Sequence, residues 1–196
     1  IVAVVVAQRR LRAPPPLGQA GVVDADLQRL IAQRQRGAPI FDVQRAIDAA
    51  RRTIYIQNQA IPVPEVARPL VEAVERGVDV VLLVPPIPED YVFAARHDPR
   101  GASRFWGIET LGRHRNFTLG GIAEHQAGGR RAAYVRSKMM LIDDAWTTIG
   151  SCNLHPFSLA GHTEMNASIW DADVARALRC RLFAQHLAVD TNQMDD

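Results

Sequence analysis

Lysine is almost missing from this chain. Of its 23 basic residues one is lysine, Lys138, and the other 22 are arginine. Cysteine is also scarce: Cys152 and Cys180 cannot build a disulfide framework. Six scattered histidines show no paired-ligand spacing, so no zinc site is expected. The longest apolar run, IVAVVVA at the start, is too short to cross a bilayer, and no cleavage-type signal follows it. Aromatics make up 6% and do not interleave with basic residues, and the net charge is only +2. A nucleic-acid partner is therefore not expected. Repeats and low-complexity tracts are absent from the sequence.

What remains is ordinary globular composition, 47% apolar and 22% charged, in 196 residues, enough to bury a substantial core. The abrupt apolar opening at Ile1 reads as the interior of a longer chain. We divide the sequence into an N-terminal strand and linker region (1–40), a main domain (41–190) and a tail (191–196). Ile1 to Ala7 reads as a buried strand, and Asp24 to Gln35 as a short helix after a proline-rich linker. Phe41 to Arg52 has helical spacing at Val43, Ala46, Ile47 and Ala50. Thr53 to Gln57 is a strand, Glu65 to Arg76 a helix with Pro64 in its first turn, and Val78 to Val84 a second buried strand. Strand, helix and strand form a parallel βαβ unit.

Farther on, one helix is expected near Ala102 to Leu111 and a short strand at Phe117 to Ile122. Ala132 to Ile142 and Ala145 to Gly150 read as a hairpin around Asp143-Asp144. Ser151 to His162 is a loop, Thr163 to Trp170 a last strand, and Ala172 to Leu187 a helix with Val174, Ala177, Leu178, Leu182 and Phe183 on its buried face. The expected fold class is α/β, a mixed β-sheet flanked by helices on both faces.

The chemistry concentrates between Tyr134 and Asn153. On a strand, Arg136, Lys138 and Met140 would share one face. Lys138 suits a phosphate or oxyanion; its structural alternative is an ammonium that snorkels to the sheet edge. Gly150-Ser151-Cys152-Asn153 after a strand offers amides, a hydroxyl and a carboxamide to an anion, or is a plain turn. Glu164 and Asn166 would share a face of the last strand. Cys152 reads as a buried small residue, and Trp106, Trp146 and Trp170 as core aromatics.

Lys138, Asp143, Gly150, Ser151 and Asn153 stand in the spacing K-x4-D-x6-G-S-x-N. With Glu164 on the next strand, this resembles the HKD signature of the phospholipase D superfamily. The upstream run TIYIQNQAIPVPEVARPLVEAVERGVDVVLLVP resembles the unit before that signature in the C-terminal lobe of two-lobed members. The resemblance covers roughly Phe41 to Leu187. It implies two lobes whose signatures meet at one site, a phosphohistidine intermediate, a second histidine as acid and base, and lysines and asparagines on the phosphoryl oxygens. It implies no metal.

It also assigns roles by position: Arg136 at the histidine place, with Lys138 and Asp143, among the catalytic residues; Ser151, Asn153, Gly150, Glu164 and Asn58 toward substrate. Asn58 lies in Gln57-Asn58-Gln59, which resembles an ENQ-type segment. The implied partners are a second HKD lobe, a phospholipid or other phosphodiester, and a membrane surface touched peripherally.

Arginine at 136 departs from the signature. It stays protonated and can serve neither as nucleophile nor as base, though it can bind phosphate bidentately or pair with Glu164 or Asp143. His155 and His162 border the region; His97, His114, His125 and His186 read as surface or satisfied structural histidines. Three readings stay open: a phosphodiesterase lobe acting on phospholipids, an inactive phosphate- or lipid-binding lobe, and a nuclease of the same superfamily.

Overall fold

A computed structural model describes residues 2–6, 39–97, 105–127, 129–155, 158–159, 164–189 and 191. The expected helix at 24–35 and the tail from 192 lie outside them. One sheet organises the rest. Its strands are β1 (Val2–Val6), β2 (Thr53–Gln57), β3 (Asp79–Leu83), β4 (Phe117–Gln126), β5 (Gly129–Ala133), β6 (Met139–Ile142), β7 (Trp146–Gly150) and β8 (Asn166–Ile169). They run β1-β4-β3-β2-β6-β7-β8, with β5 paired to β4 beyond the end of β3. The helices are α1 (Pro39–Ala49), α2 (Pro64–Glu75), α3 (Asp90–His97), α4 (Trp106–Leu111) and α5 (Ala172–Leu187).

The expected βαβ unit is present: β2 and β3 pair in parallel on either side of α2. Pro64 occupies the first turn of α2, where a missing N–H costs nothing, and Gly77 ends it at φ 94°. Pro69 inside α2 cannot donate to the carbonyl of Glu65, four residues back. Gln44 of α1 supplies the missing donor, with Nε2 2.8 Å from that oxygen. Arg76 in turn donates to the carbonyls of Ile47 and Asp48 at 3.1 and 3.2 Å, closing the C-terminus of α1. Each helix therefore repairs a backbone defect of the other.

Side chains alternate across the sheet, and both faces are covered. Ile54, Ile56, Val80, Leu82, Met140 and Ile142 pack with Ile47, Val66, Leu70 and Leu111 of α1, α2 and α4. Tyr55, Leu83 and Leu141 face the other way, against Leu178, Leu182 and Phe183 of α5. The α/β architecture with helices on both faces is thus as expected.

Local departures have local reasons. The strand expected at 132–142 is two strands with an unpaired stretch at 134–138, so Arg136 and Lys138 precede β6 and share no strand face. The last strand starts at Asn166, so Glu164 lies before it. β4 is longer than foreseen because β1 and β5 prolong its pairing. Helix α3 was not expected, since its apolar periodicity is weak. On α5, Val174 and Ala177 are exposed, and Ala175 and His186 are buried instead. Trp146 is core and packs 5.9 Å from Trp170, whereas Trp106 is 42% exposed.

The β6–β7 turn explains Asp143. Asp143 and Asp144 both have positive φ, 54° and 53°, as the central residues of a primed turn require, and the Ala145 N–H donates to the Ile142 carbonyl at 2.9 Å. The Asp143 carboxylate accepts the backbone N–H groups of Arg51, Arg52 and Thr53 at 2.8, 2.8 and 2.7 Å. Its own N–H donates to the Thr53 carbonyl at 3.0 Å. Asp144 binds Arg179 of α5 through two oxygens at 2.6 and 2.8 Å. Lys138 is at the other end of β6, roughly 16 Å away at about 3.3 Å per residue. The Asp143 carboxylate is therefore spent on backbone amides at the end of β6 away from Lys138, and the Arg52 guanidinium donates to its carbonyl at 3.1 Å.

Replacing Asp143 by alanine should destabilise the fold by about 3 kcal/mol, because three amides lose a charged acceptor. Urea unfolding measures it, and a loss below about 0.5 kcal/mol would contradict the clamp role.

His186 yields a pH prediction. Its imidazole is buried beside the Tyr55 hydroxyl, 3.1 Å from Nδ1, and burial depresses its pKa. The unfolded chain then binds a proton that the folded chain refuses. This contribution to stability is complete above about pH 6.5 and is lost as pH falls from there through the depressed folded value. Thermal melts at pH 7.5 and 5.5 should show a smaller drop in His186→Gln than in the parent.

Candidate phosphate-binding site

Pairing alone brings the predicted residues to one end of the sheet. Leu83, Gln57, Met139, Ile149 and Ala167 are successive cross-strand partners from β3 to β8. Whatever precedes Met139, follows Gln57 or Ile149, or precedes Asn166 must converge there. Lys138, Gln59, Gly150, Ser151 and Glu164 all meet that condition.

Lys138 donates from Nζ to Gln59 Oε1 at 3.0 Å and to the Arg136 carbonyl at 2.8 Å. Its own carbonyl accepts the Gly150 N–H at 3.0 Å, tying the unpaired stretch to the end of β7. Burial lowers the Lys138 pKa, the positive charge of Arg136 lowers it further, and Glu164 opposes both. Two cations and one carboxylate thus share the site. Arg136 is exposed, and its guanidinium lies 5.5 Å from the centre of the Tyr134 ring.

Ser151 and Glu164 form the second part. The Ser151 hydroxyl donates to Glu164 Oε2 at 2.5 Å and accepts the Met165 N–H at 3.1 Å. The Ser151 N–H donates to the Met165 carbonyl at 3.0 Å. Gly150 is required by this crossing. A Cβ there would stand 1.9 Å from Asn166 Oδ1 and 2.3 Å from the Met165 carbonyl oxygen. Asn153 carries a buried Oδ1 without a hydrogen-bond partner among the described residues. An amide in that condition can turn its NH2 group toward an anion.

Asn58 is different. Its Oδ1 accepts the N–H groups of Ala60 and Leu154 at 3.0 and 3.1 Å, and Nδ2 donates to the Cys152 carbonyl at 3.5 Å. It is buried, and these bonds clip the 152–154 loop to the end of β2. Cys152 is buried, and burial raises its thiol pKa, with Glu164 adding to the effect.

Other participants were not foreseen. Gln59 also donates to the Tyr134 hydroxyl at 2.7 Å, and that hydroxyl donates to Glu89. The bond to Glu89 is the main reason the Tyr134 pKa is raised. Ser137 donates to Gln57 Oε1 at 2.5 Å. Gln59 was visible in the polar patch after β2. Glu89 sits in a proline-rich loop that nothing local ties to Tyr134.

Beside this cluster opens a cavity of about 380 Å³, walled by Ile61, Pro62, Val63, Val84, Val92 and Phe105, with Gln59, Glu89 and His155 among its polar members. His155 thus faces the neighbouring cavity; His162 lies outside the described residues. Among the described residues no cluster of His, Cys, Asp and Glu could hold a metal, and no helix is long and apolar enough to cross a membrane.

Residues 43–186 match the family described as cardiolipin synthase, PLD-like domain. The chain belongs to that family, within the phospholipase D superfamily. Cardiolipin synthase 1 of Staphylococcus epidermidis is 30% identical over 150 residues, 72% of this chain and 27% of that protein. Cardiolipin synthase A of Pseudomonas syringae is 29% identical over 179 residues, 89% of this chain and 33% of that one. The chain spans a third or less of the length of these relatives. NucT from Helicobacter pylori shares the fold, with a TM-score of 0.56 at 13% identity over 96% of each chain.

For a PLD-like domain, the crossing at Gly150 is the feature most sensitive to a single methyl group. Gly150→Ala should cost about 3 kcal/mol and speed amide exchange at Ser151. Unchanged stability and exchange would show that the crossing relaxes freely.

Proposed function

We propose that this chain is a lobe of a phospholipase D-type enzyme that handles phosphatidyl groups, and that it binds the phosphoryl oxygens of a phospholipid phosphodiester. The observation that carries this is Lys138, partly desolvated beside Arg136, with Ser151 and Asn153 following the next strand. Two neighbouring cations suit a phosphate. The apolar cavity next to Gln59 suits the hydrocarbon part of such a lipid. Membership of the cardiolipin synthase family supports phospholipid over other phosphodiesters.

Arg136 divides the work. An arginine cannot take up or release a proton near neutral pH, so this lobe cannot form a phosphohistidine at that position. Family chemistry through a covalent intermediate then needs a histidine from a second HKD lobe, in a longer chain or a partner copy. Arg136 equally favours a second reading, a lobe that binds anionic lipid without turnover. Head-group release by the full gene product from phosphatidylglycerol separates the two.

Both readings share one prediction. The chain should bind phosphatidylglycerol vesicles more tightly than phosphatidylcholine vesicles, and Lys138→Ala should weaken that binding about tenfold, the value of a charge-assisted hydrogen bond. Vesicle cosedimentation measures it. Equal binding by parent and variant would remove the phosphate-site reading.

A further inference from the structure

Lys138 stands on a stretch with no strand partner of its own. Residues 134–138 lie between β5 and β6 outside the ladder, although they carry both cations of the site. Besides the bond between the Lys138 carbonyl and the Gly150 N–H and the bonds of the Tyr134 and Lys138 side chains to Gln59, this stretch is anchored by a side chain that reaches into the core, Ser137.

From Ser137 a directed chain of donors runs into the core. The Ser137 hydroxyl donates to Gln57 Oε1 at 2.5 Å. Gln57 Nε2 donates to the Tyr55 oxygen at 2.5 Å. With that oxygen accepting, the Tyr55 hydrogen is free to donate to His186 Nδ1 at 3.1 Å. Gln57, Tyr55 and His186 are 3%, 4% and 6% exposed, so none of these groups has water to exchange with. The Tyr55 ring is held edge-on by Phe183, 5.4 Å between centres.

The direction matters. An amide fixes one end as acceptor and the other as donor. Because its NH2 is committed to Tyr55, Gln57 can present only its carbonyl to Ser137. The buried polar chain thus transmits the position of α5 to the residue between the two cations.

We propose that Gln57 is a positioning residue for the phosphate-binding cluster: oriented by Tyr55 and His186, it holds the Ser137 hydroxyl and through it aims Arg136 and Lys138. This rests on the Lys138 cluster being the anion site. It goes beyond that reading by assigning a task to the strand end of β2 and to α5, neither of which touches the anion.

Lys138 is the only lysine, so lysine labelled at Cε yields one side-chain NMR signal that reports on this site alone. The groups whose charge acts on its ammonium are Arg136 and Glu164, with burial as the larger influence. If Ser137 is what holds the stretch, Ser137→Ala should let the ammonium return to water. Its titration midpoint should then rise toward the ordinary lysine value of about 10.4 while the thermal melt stays put.

Ser137→Thr keeps the hydroxyl and should restore the parent midpoint. Gln57→Leu should act like Ser137→Ala, and the double variant should be no worse than either single one. Should Gln57→Leu fail to fold, the two Ser137 variants decide the matter. An unchanged lysine midpoint in Ser137→Ala overturns the proposal, whether or not the melt falls.

Binding of dibutyryl phosphatidylglycerol, measured on the same samples, should weaken about tenfold in Ser137→Ala. If the midpoint moves as expected but the parent protein does not bind this diester, the positioning role stands and the phosphate-binding reading fails. If the parent binds and Ser137→Ala binds equally well, the aiming role is overturned.

Discussion

The antiparallel pairing of β6 with β2 is the constraint on which the rest depends. It is pinned at one end by the Asp143 carboxylate, which gathers the amides of Arg51, Arg52 and Thr53. A slip of one residue would turn every side chain of β6 to the opposite face. Met140 and Ile142 would leave the α1–α2 core, and Leu141 would leave α5. With the register held, Met139 stands opposite Gln57, and Lys138 is brought to Gln59. An acidic residue at the opposite end of β6 from the cations therefore helps decide where they stand.

At the other end of the same strands, electrostatics and hydrogen bonding take over. Arg136 lies close enough to Lys138 to disfavour its charge, and Glu164 offsets part of this. Glu164 is itself held by Ser151, whose position depends on the absence of a side chain at Gly150. An anionic ligand would relieve the repulsion between the two cations, which is a physical reason for a phosphate to prefer this point of the surface. The proton-transfer ability of a histidine is the one property the arrangement lacks at position 136.

Much of this was legible in the chain. The βαβ unit followed from alternating runs and from Pro64 and Gly77, which act within one or two residues of where they stand. The hairpin at Asp143-Asp144 followed from turn chemistry. The family followed from the spacing of Lys138, Gly150, Ser151 and Asn153. What failed to show were the groups defined by partners far away in sequence. Nothing around Asn58 showed that its oxygen would hold Leu154, 96 residues on. Nothing around Asp143 showed that its carboxylate would gather the amides at the start of β2. Tyr134 and Glu89 gave no sign of each other.

The sequence by itself determined most of the elements, the superfamily and the identity of the lone lysine, because those depend on local propensity and on spacing along one strand-turn-strand. Only the tertiary structure decided which polar side chains face an open site and which are consumed by the protein. That division depends on whether buried donors and acceptors find partners across strands, and each such partner is chosen by register rather than by neighbours in the chain. Ser137 shows the difference: in the sequence it separates two cations, and in the fold its hydroxyl joins them to Gln57, Tyr55 and His186.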